Sequence, residues 1–381
     1  MRVIKLAWDT DKKAILNQID STSAGIKIMQ DKMEVELFYI QNLRTPAANI
    51  LKQDALSIGA ELAVEKNTIL CLSKYTNALL IANKKQLKIL SKKEKAQPFG
   101  LKNLANEITK YLNIPKYPTK IMGVINANHD SFYQGSRFSD RDAIVKIEGM
   151  IDDGANIIDI GAVSSRPGSV GVSDEEEFGR LESVIDAIYR EKLYEKVKFS
   201  LDSYSVKSLR YALDHGFSIV NDITALSSDE VASLSAEYGA SVVLMHMLDK
   251  PSTMQNNPSY DHVIADIDLF FQDRIEKAES FGIKDIILDV GIGFGKSLEH
   301  NLLLIKHLSH FKKFHKELLI GASRKSMIDQ IVSSDISQRL SGTLAIHLKS
   351  LEEGANILRV HDVKEHYQAI KVKEALDKAL I

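Results

Sequence analysis

The 381-residue sequence contains one cysteine, one tryptophan and only seven prolines, and these scarcities remove whole classes of protein. A lone thiol, Cys71, cannot close an internal disulfide, which excludes a disulfide-stapled scaffold and fits a reducing cytoplasm. Its position in an apolar run at residues 68–72 predicts a small buried residue within a strand. No run approaches the roughly 18 consecutive apolar residues that a membrane-crossing helix needs. The first dozen residues are charged and lack the apolar centre of an export signal. Charge of one sign is not in excess either: the formal net charge is −2. Without a basic stripe or a polybasic patch, neither nucleic acid nor a membrane surface is an expected partner.

What remains is the composition of an ordinary globular chain, 44% hydrophobic and 26% charged. Its length suits two or three domains, or one barrel with an addition. Residues 1–112 read as a small α+β domain. Strands are expected at 2–6, 33–41, 68–72 and 78–82, and helices at 12–19 and 47–65, the second opened by Thr45-Pro46. Nothing here resembles a catalytic constellation, so packing or oligomerisation stands beside gating or regulation as its role. Three of the seven prolines, Pro98, Pro115 and Pro118, punctuate the stretch that follows, and residues 113–119 are expected to link this domain to a second one at 120–381.

From Lys120 onward one plan repeats. A helical pattern ends at a glycine, and a short apolar strand then stops on a polar residue, as in D-G-A-N-I-I-D-I-G at 153, H-G-F-S-I-V-N-D-I at 215 and E-G-A-N-I-L-R-V-H at 353. Strands centred on Ile121, Ile157, Phe199, Ile219, Val242, Ile286, Leu318 and Ile357 give eight such units. Eight βα units in about 250 residues predict a closed (β/α)8 TIM barrel, with its chemistry at the C-terminal ends of the strands. Those ends read Asn126, Asp159, Asp202, Asn221-Asp222, His246, Asp289, Ser323-Arg324-Lys325, and Arg359 with His361-Asp362. One polar strand end often only caps a loop. Eight converging, with carboxylates, amides and cations among them, suit a polar heterocycle that carries an anionic group.

The motifs M-G-V-I-N-x-x-x-D-S-F at 122, G-A-N-I-I-D-I-G-x-x-S-S-R-P-G at 154, S-L-D-S-Y at 200, V-N-D-I at 220, L-M-H-M-x-x-x-P-x-T-M-Q at 244, D-x-G-I-G-F-G-K at 289, G-A-S-R-K-S at 321 and R-V-H-D-V at 359 resemble, in order, those of the dihydropteroate synthase family. The resemblance covers the barrel only. It implies a transferase of folate biosynthesis that joins 6-hydroxymethyl-7,8-dihydropterin pyrophosphate to p-aminobenzoate, releasing pyrophosphate and 7,8-dihydropteroate. By the same resemblance Asp289 accepts the paired N–H donors of the pterin, Asp202 and Asn221 meet its other ring nitrogens, and Lys325 donates to its carbonyl.

Met245 flanks His246, with a thioether suited to a flat ring, while the histidine itself reads equally as a pocket or a core residue. Arg359 and His361, two apart on one strand, share a face, and the resemblance implies that both meet the pyrophosphate, with Asn126 helping to hold Mg²⁺. By the match to the family's two loops, Phe132, Ser165, Arg166 and Pro167 are expected to receive p-aminobenzoate, whose place a sulfonamide would take, and Ser326, at a helix start, is expected to meet its carboxylate. Lys325, Arg359, His361 and Asp202 form the expected catalytic set. A cytoplasmic homodimer is expected.

The sequence departs from the family pattern in four places: Asn128-His129 stands for Thr-Pro, Ser165 for Thr, Val163 for Glu and Val290 for Pro. Losing the proline frees the backbone of the first loop. Two other functions fit the barrel. One is a methyltetrahydrofolate-dependent methyltransferase, against which the S-R-K-S and R-V-H-D motifs speak. The other is a pterin-binding homologue without turnover.

Overall fold

The computed structural model describes residues 1–126, 140–163, 172–251 and 253–381. They form two compact units, Met1–Pro115 with Glu374–Ile381, and Lys116–Lys373.

In the first unit, strands β1 (Val35–Arg44), β2 (Glu61–Val64) and β3 (Tyr75–Asn83) form an antiparallel sheet in the order β1-β3-β2. Helices α1 (Lys12–Gln18), α2 (Ser23–Met29), α3 (Thr45–Ser57), α4 (Lys84–Glu94) and α5 (Leu101–Lys110) accompany it. Alternation in β3 sends Ala78, Leu80 and Ala82 into a core with Leu51, Leu62, Leu87, Leu90 and Leu101.

Three local expectations fail here. Residues 2–6 form no strand, since Val3 and Ile4 remain exposed without a partner strand. Thr68–Leu70 is a 3-10 turn, with Ile69, Leu70 and Leu72 exposed. Asn49 of α3 donates to Thr68 O at 3.3 Å, so a helix holds the backbone of the run, and only a side-chain contact, Thr68 Oγ1 to Thr76 Oγ1 at 3.4 Å, reaches β3. Cys71 is accordingly exposed, at φ 53°. The expected helix at 47–65 stops at Ser57 because Gly59 turns the chain at φ 75°, a left-handed value that glycine adopts freely. Gln86 then fixes the turn by donating to Gly59 O at 2.6 Å.

The second unit is a closed parallel barrel in the order β10-β11-β4-β5-β6-β7-β8-β9. Its strands are β4 (Lys120–Asn126), β5 (Ile157–Gly161), β6 (Lys198–Asp202), β7 (Ile219–Asp222), β8 (Ser241–Met245), β9 (Ile286–Asp289), β10 (Glu317–Ile320) and β11 (Ile357–Val360). The helices are α6 (Asp140–Asp152), α7 (Asp174–Arg190), α8 (Val206–Asp214), α9 (Asp229–Glu237), α10 (Val263–Ser280), α11 (Leu298–Lys306), α12 (Ser326–Ile331), α13 (Leu340–Glu352) and α14 (Val363–Lys378). No helix among the described residues is long and apolar enough to cross a membrane.

A period of two sorts each barrel strand. Outward positions such as Ile158, Leu201, Val220, Leu288 and Leu358 pack on the helices, together with the fully buried Phe199, Phe271 and Phe311. Burial of each such ring is worth about 1.5–3 kcal/mol. Inward, Met122, Ile157, Ile219, Val243, Ile287, Leu319 and Ile357 fill the barrel as one apolar layer. The next inward position, two residues further along, is polar on β5, β6, β7, β9 and β11.

Candidate active site

Those second inward positions are Asp159 on β5, Asp202 on β6, Asn221 on β7, Met245 on β8, Asp289 on β9 and Arg359 on β11. Arg359 organises them. Its Nε donates to Asp159 Oδ2 at 2.7 Å and its Nη2 to Asp202 Oδ2 at 2.7 Å, with Nη2 also 2.6 Å from Asp159. Asn221 Nδ2 lies 3.3 Å from both oxygens of Asp159. Asp159 is 0% exposed, so its carboxylate depends on these donors. Burial opposes charge on the guanidinium, but Asp159 and Asp202 outweigh it and hold Arg359 above its usual range. Burial pushes Asp202 up to about 7 against the pull of Arg359, and the neighbouring carboxylates of Asp159, Glu177 and Asp222 add to the rise.

Asp289 accepts from Gly291 N at 2.8 Å. Burial raises its pKa, with Gly291 N–H and Lys325 pulling the other way. Lys325 follows β10; burial pushes its ammonium down to about 8 against the attraction of Asp289. Its Nζ donates to Ile292 O and stands 4.4 Å from the centroid of Phe294. The loop from Gly291 to Lys296 is closely held. A Cβ on Gly291, at φ 68°, would fall 1.9 Å from His246 O, so no other residue fits there. The carbonyls of Gly293, Phe294 and Gly295 accept from Gln255 at 2.6 Å, Lys296 at 3.0 Å and Tyr260 at 2.8 Å.

Lys296 is 3% exposed and reaches the residue that follows β8, its Nζ lying 2.9 Å from His246 Nδ1 and 3.2 Å from His246 O. Burial, then Lys296, lowers His246 to about 2, so this ring is neutral. With Phe270 edge-on at 4.8 Å, His246 is a core residue that anchors the loop. Met245, also buried, pairs in register with Asp289.

At the seventh and eighth strands two short segments are cross-linked. Ser323 Oγ lies 2.9 Å from His361 Nδ1, and Arg324 donates to Asp362 through Nε at 2.9 Å and Nη2 at 2.6 Å. His361 stands one residue beyond the end of β11 and is exposed, whereas Arg359 is turned onto the carboxylates. Ser326 is the first residue of α12 and is exposed, and Asn126 is half-buried at the end of β4. Phe132, Ser165, Arg166 and Pro167 lie outside the described residues. Among the described residues no group of three or more His, Cys, Asp or Glu is arranged to hold a metal ion.

Sequence reasoning gave no role to Asp159, Phe294 or Lys296. Asp159 had a signal: it follows Ile157 by two, as Asp289 follows Ile287 and Arg359 follows Ile357, so all share the inward face. Phe294 and Lys296 sit in an irregular loop, where no periodicity points.

A parallel eight-stranded barrel whose strand ends ring an arginine with carboxylates and an amide defines a (β/α)8 barrel enzyme. Residues 122–361 match the family model for pterin binding enzymes. A bifunctional dihydropteroate synthase/dihydropteroate reductase of Helicobacter pylori is 43% identical over 357 residues, 92% of this chain and 94% of that protein. The Escherichia coli dihydropteroate synthase is 42% identical over 258 residues, 67% of this chain and 90% of that one. Among solved structures, the Yersinia pestis dihydropteroate synthase in a sulfonamide complex superposes with a TM-score of 0.65 at 37% identity, over 69% of this chain and 95% of that one. The Xanthomonas albilineans enzyme with 4-aminobenzoic acid gives 0.64 at 32% identity, over 69% and 94%. The chain belongs to the pterin-binding enzyme family. Its activity is that of a dihydropteroate synthase, a transferase of folate biosynthesis.

Proposed function

We propose that the inward strand-end residues divide the two substrates of this transferase between them. The dihydropterin pyrophosphate lies in the barrel mouth: Asp289 accepts its paired N–H donors, Asp202 and Asn221 meet the remaining ring nitrogens, Lys325 donates to the ring carbonyl and Met245 packs on the ring face. Arg359 and His361 take the pyrophosphate. The observation that carries this reading is the placement of Asp202, Asn221, Asp289 and Arg359 at equivalent inward positions, with Lys325 held beside the same mouth by Ile292 O and Phe294.

Phe132, Ser165, Arg166, Pro167 and Ser326 receive p-aminobenzoate, and a sulfonamide enters as its mimic. The amine nitrogen attacks the exocyclic methylene carbon as the carbon–oxygen bond to pyrophosphate breaks. The dihydropterin ring stabilises charge on that carbon, so the amine releases its proton to solvent without a strong base. The chain's own work is to orient the ring, to hold the leaving group and to keep Asp202 shared between Arg359 and the pterin.

A magnesium ion suits this donor set as a companion of the pyrophosphate. Asn126 offers one amide oxygen, and magnesium characteristically keeps waters and substrate phosphates as its other ligands. When bound it neutralises charge on the leaving group.

The test has two parts. Product formation from both substrates should depend on Mg²⁺. Calorimetry should show p-aminobenzoate binding at least about tenfold tighter with Mg²⁺-pyrophosphate and a pterin present, a coupling of about 1.4 kcal/mol. Equal affinity in both titrations would mean that its site is preformed and that this division of residues is wrong.

A second activity is supported by the reach of the similarity. The bifunctional relative matches over 92% of this chain, whereas the E. coli synthase matches over 67%. We infer that this chain also reduces dihydropteroate, with residues of the first unit needed for it. Consumption of dihydropteroate with a reduced nicotinamide or flavin as donor tests this; none with either donor would refute it. The same reading has a homodimer in the cytoplasm, and light scattering at the mass of one chain would refute the dimer.

A further inference from the structure

Behind the two cross-linked segments at the barrel mouth lie two histidines that the reaction does not use directly. His347 on α13 is 0% exposed and His366 on α14 is 1% exposed. They form a chain of three hydrogen bonds. Ala322 N lies 3.2 Å from His347 Nε2, His347 Nδ1 lies 2.9 Å from His366 Nε2, and His366 Nδ1 lies 2.6 Å from Asp362 O.

The direction of this chain is fixed at both ends. A backbone N–H only donates, so His347 Nε2 is the unprotonated nitrogen and its proton sits on Nδ1. That proton faces His366 Nε2, which must accept, leaving the proton of His366 on Nδ1 to meet the carbonyl of Asp362, which only accepts. One tautomer pair satisfies all three bonds. A second proton on either ring would set two donors against each other.

The ends of the chain matter. Ala322 precedes Ser323, Arg324 and Lys325, and Asp362 follows His361. The same segments are joined at the front by Ser323 with His361 and by Arg324 with Asp362. We propose that His347 and His366 are positioning residues for the transferase reaction, holding residues 322–325 in register with residues 359–362 so that Lys325, Arg359 and His361 meet the pterin pyrophosphate together. The proposal rests on reading those three residues as the groups that contact that substrate.

Nitrogen-15 spectra of the unmodified protein, with His347 and His366 assigned by single substitutions, test the tautomers without relying on activity. Both rings should show a protonated Nδ1 and a bare Nε2. A protonated Nε2 in either ring would overturn the proposal. Kinetics test the function. His366→Phe removes both ring contacts and should raise KM for the pterin pyrophosphate about tenfold or more, with a much smaller effect on KM for p-aminobenzoate. His366→Gln, whose amide can accept and donate along the same line, should stay within about threefold of the parent. If His366→Phe leaves that KM within about twofold, the positioning role is refuted. If it does not fold, the spectra and His366→Gln decide, since loss of activity in His366→Gln with an unchanged melting temperature also refutes the idea. Arg359→Lys serves as the control for the site: an unchanged KM there overturns the substrate placement, while the tautomer result still stands or falls on its own.

Discussion

The ammonium of Lys325 stands over the face of Phe294, 4.4 Å from the ring centroid. The two come from different strand ends, and the ring is available because the loop that carries it is pinned by Gln255, Tyr260 and Lys296. A cation held in this way over an aromatic face gains about 0.5–2 kcal/mol, depending on how far it is desolvated.

Phe294→Ala should therefore loosen Lys325 without unfolding the barrel. The expected result is a three- to thirtyfold fall in kcat/KM, which is about the range of that contact energy. Circular dichroism should be unchanged. Steady-state kinetics with both substrates check it, and parental rates would show that the ring does not support the lysine.

Asp289→Asn keeps the volume of the side chain but replaces one acceptor with a donor. Its partner Gly291 N–H can still be met, so the fold should survive. Pterin binding should weaken by about 1–3 kcal/mol, because a buried donor would face a donor on the ligand. Unchanged pterin affinity by calorimetry would remove Asp289 from the pterin site.

Lys325 also sets a pH signature. Its folded pKa of about 8 lies below the ordinary lysine value of 10.5, because burial disfavours the ammonium. Below about 8 the folded protein carries the cost of a buried cation. Between about 8 and 10.5 the unfolded chain holds more protons than the folded one, so this contribution to stability rises with pH. Lys325→Met should thus be more stable than the parent at pH 7, with the advantage shrinking as the pH approaches 10. If Lys325 is the proposed donor to the pterin carbonyl, activity should move the opposite way, falling above about 8 as that ammonium loses its proton. Denaturant titrations of both proteins across this range give the difference directly.

A chain beginning at Asn113 should fold, because Lys116–Lys373 carries its own apolar core and a closed strand order. It should unfold cooperatively on heating and keep synthase activity while losing dihydropteroate reduction. Aggregation would show instead that the first unit covers barrel surface.

The barrel was legible because its signal repeats: a glycine, an apolar strand and a polar end recur at Asp153, His215 and Glu353, and no single instance had to be right. The first unit repeats nothing. There Ile69, Leu70 and Leu72 looked like a strand, yet the segment became an exposed turn because Asn49 bonds its backbone from a helix 19 residues earlier. Asp289, Asn221 and Arg359 were legible as polar ends of short apolar strands, and their proposed roles came from the family resemblance. Lys296, His347 and His366 were not, since a buried lysine or histidine differs from a solvated one only through partners distant in sequence, here 50, 25 and 19 residues away.

The apolar layer formed by Met122, Ile157, Ile219, Val243, Ile287, Leu319 and Ile357 closes the barrel beneath Arg359. Among the described residues this layer shuts the lower end of the barrel, so on the proposed placement the strand-end side serves as both entrance and exit. On the proposed placement, a pteroate still seated against Asp289 would block the next pterin, and a pyrophosphate still held at Arg359 would stand in the way of its departure. Turnover in such a vessel would be governed by departure as much as by bond formation.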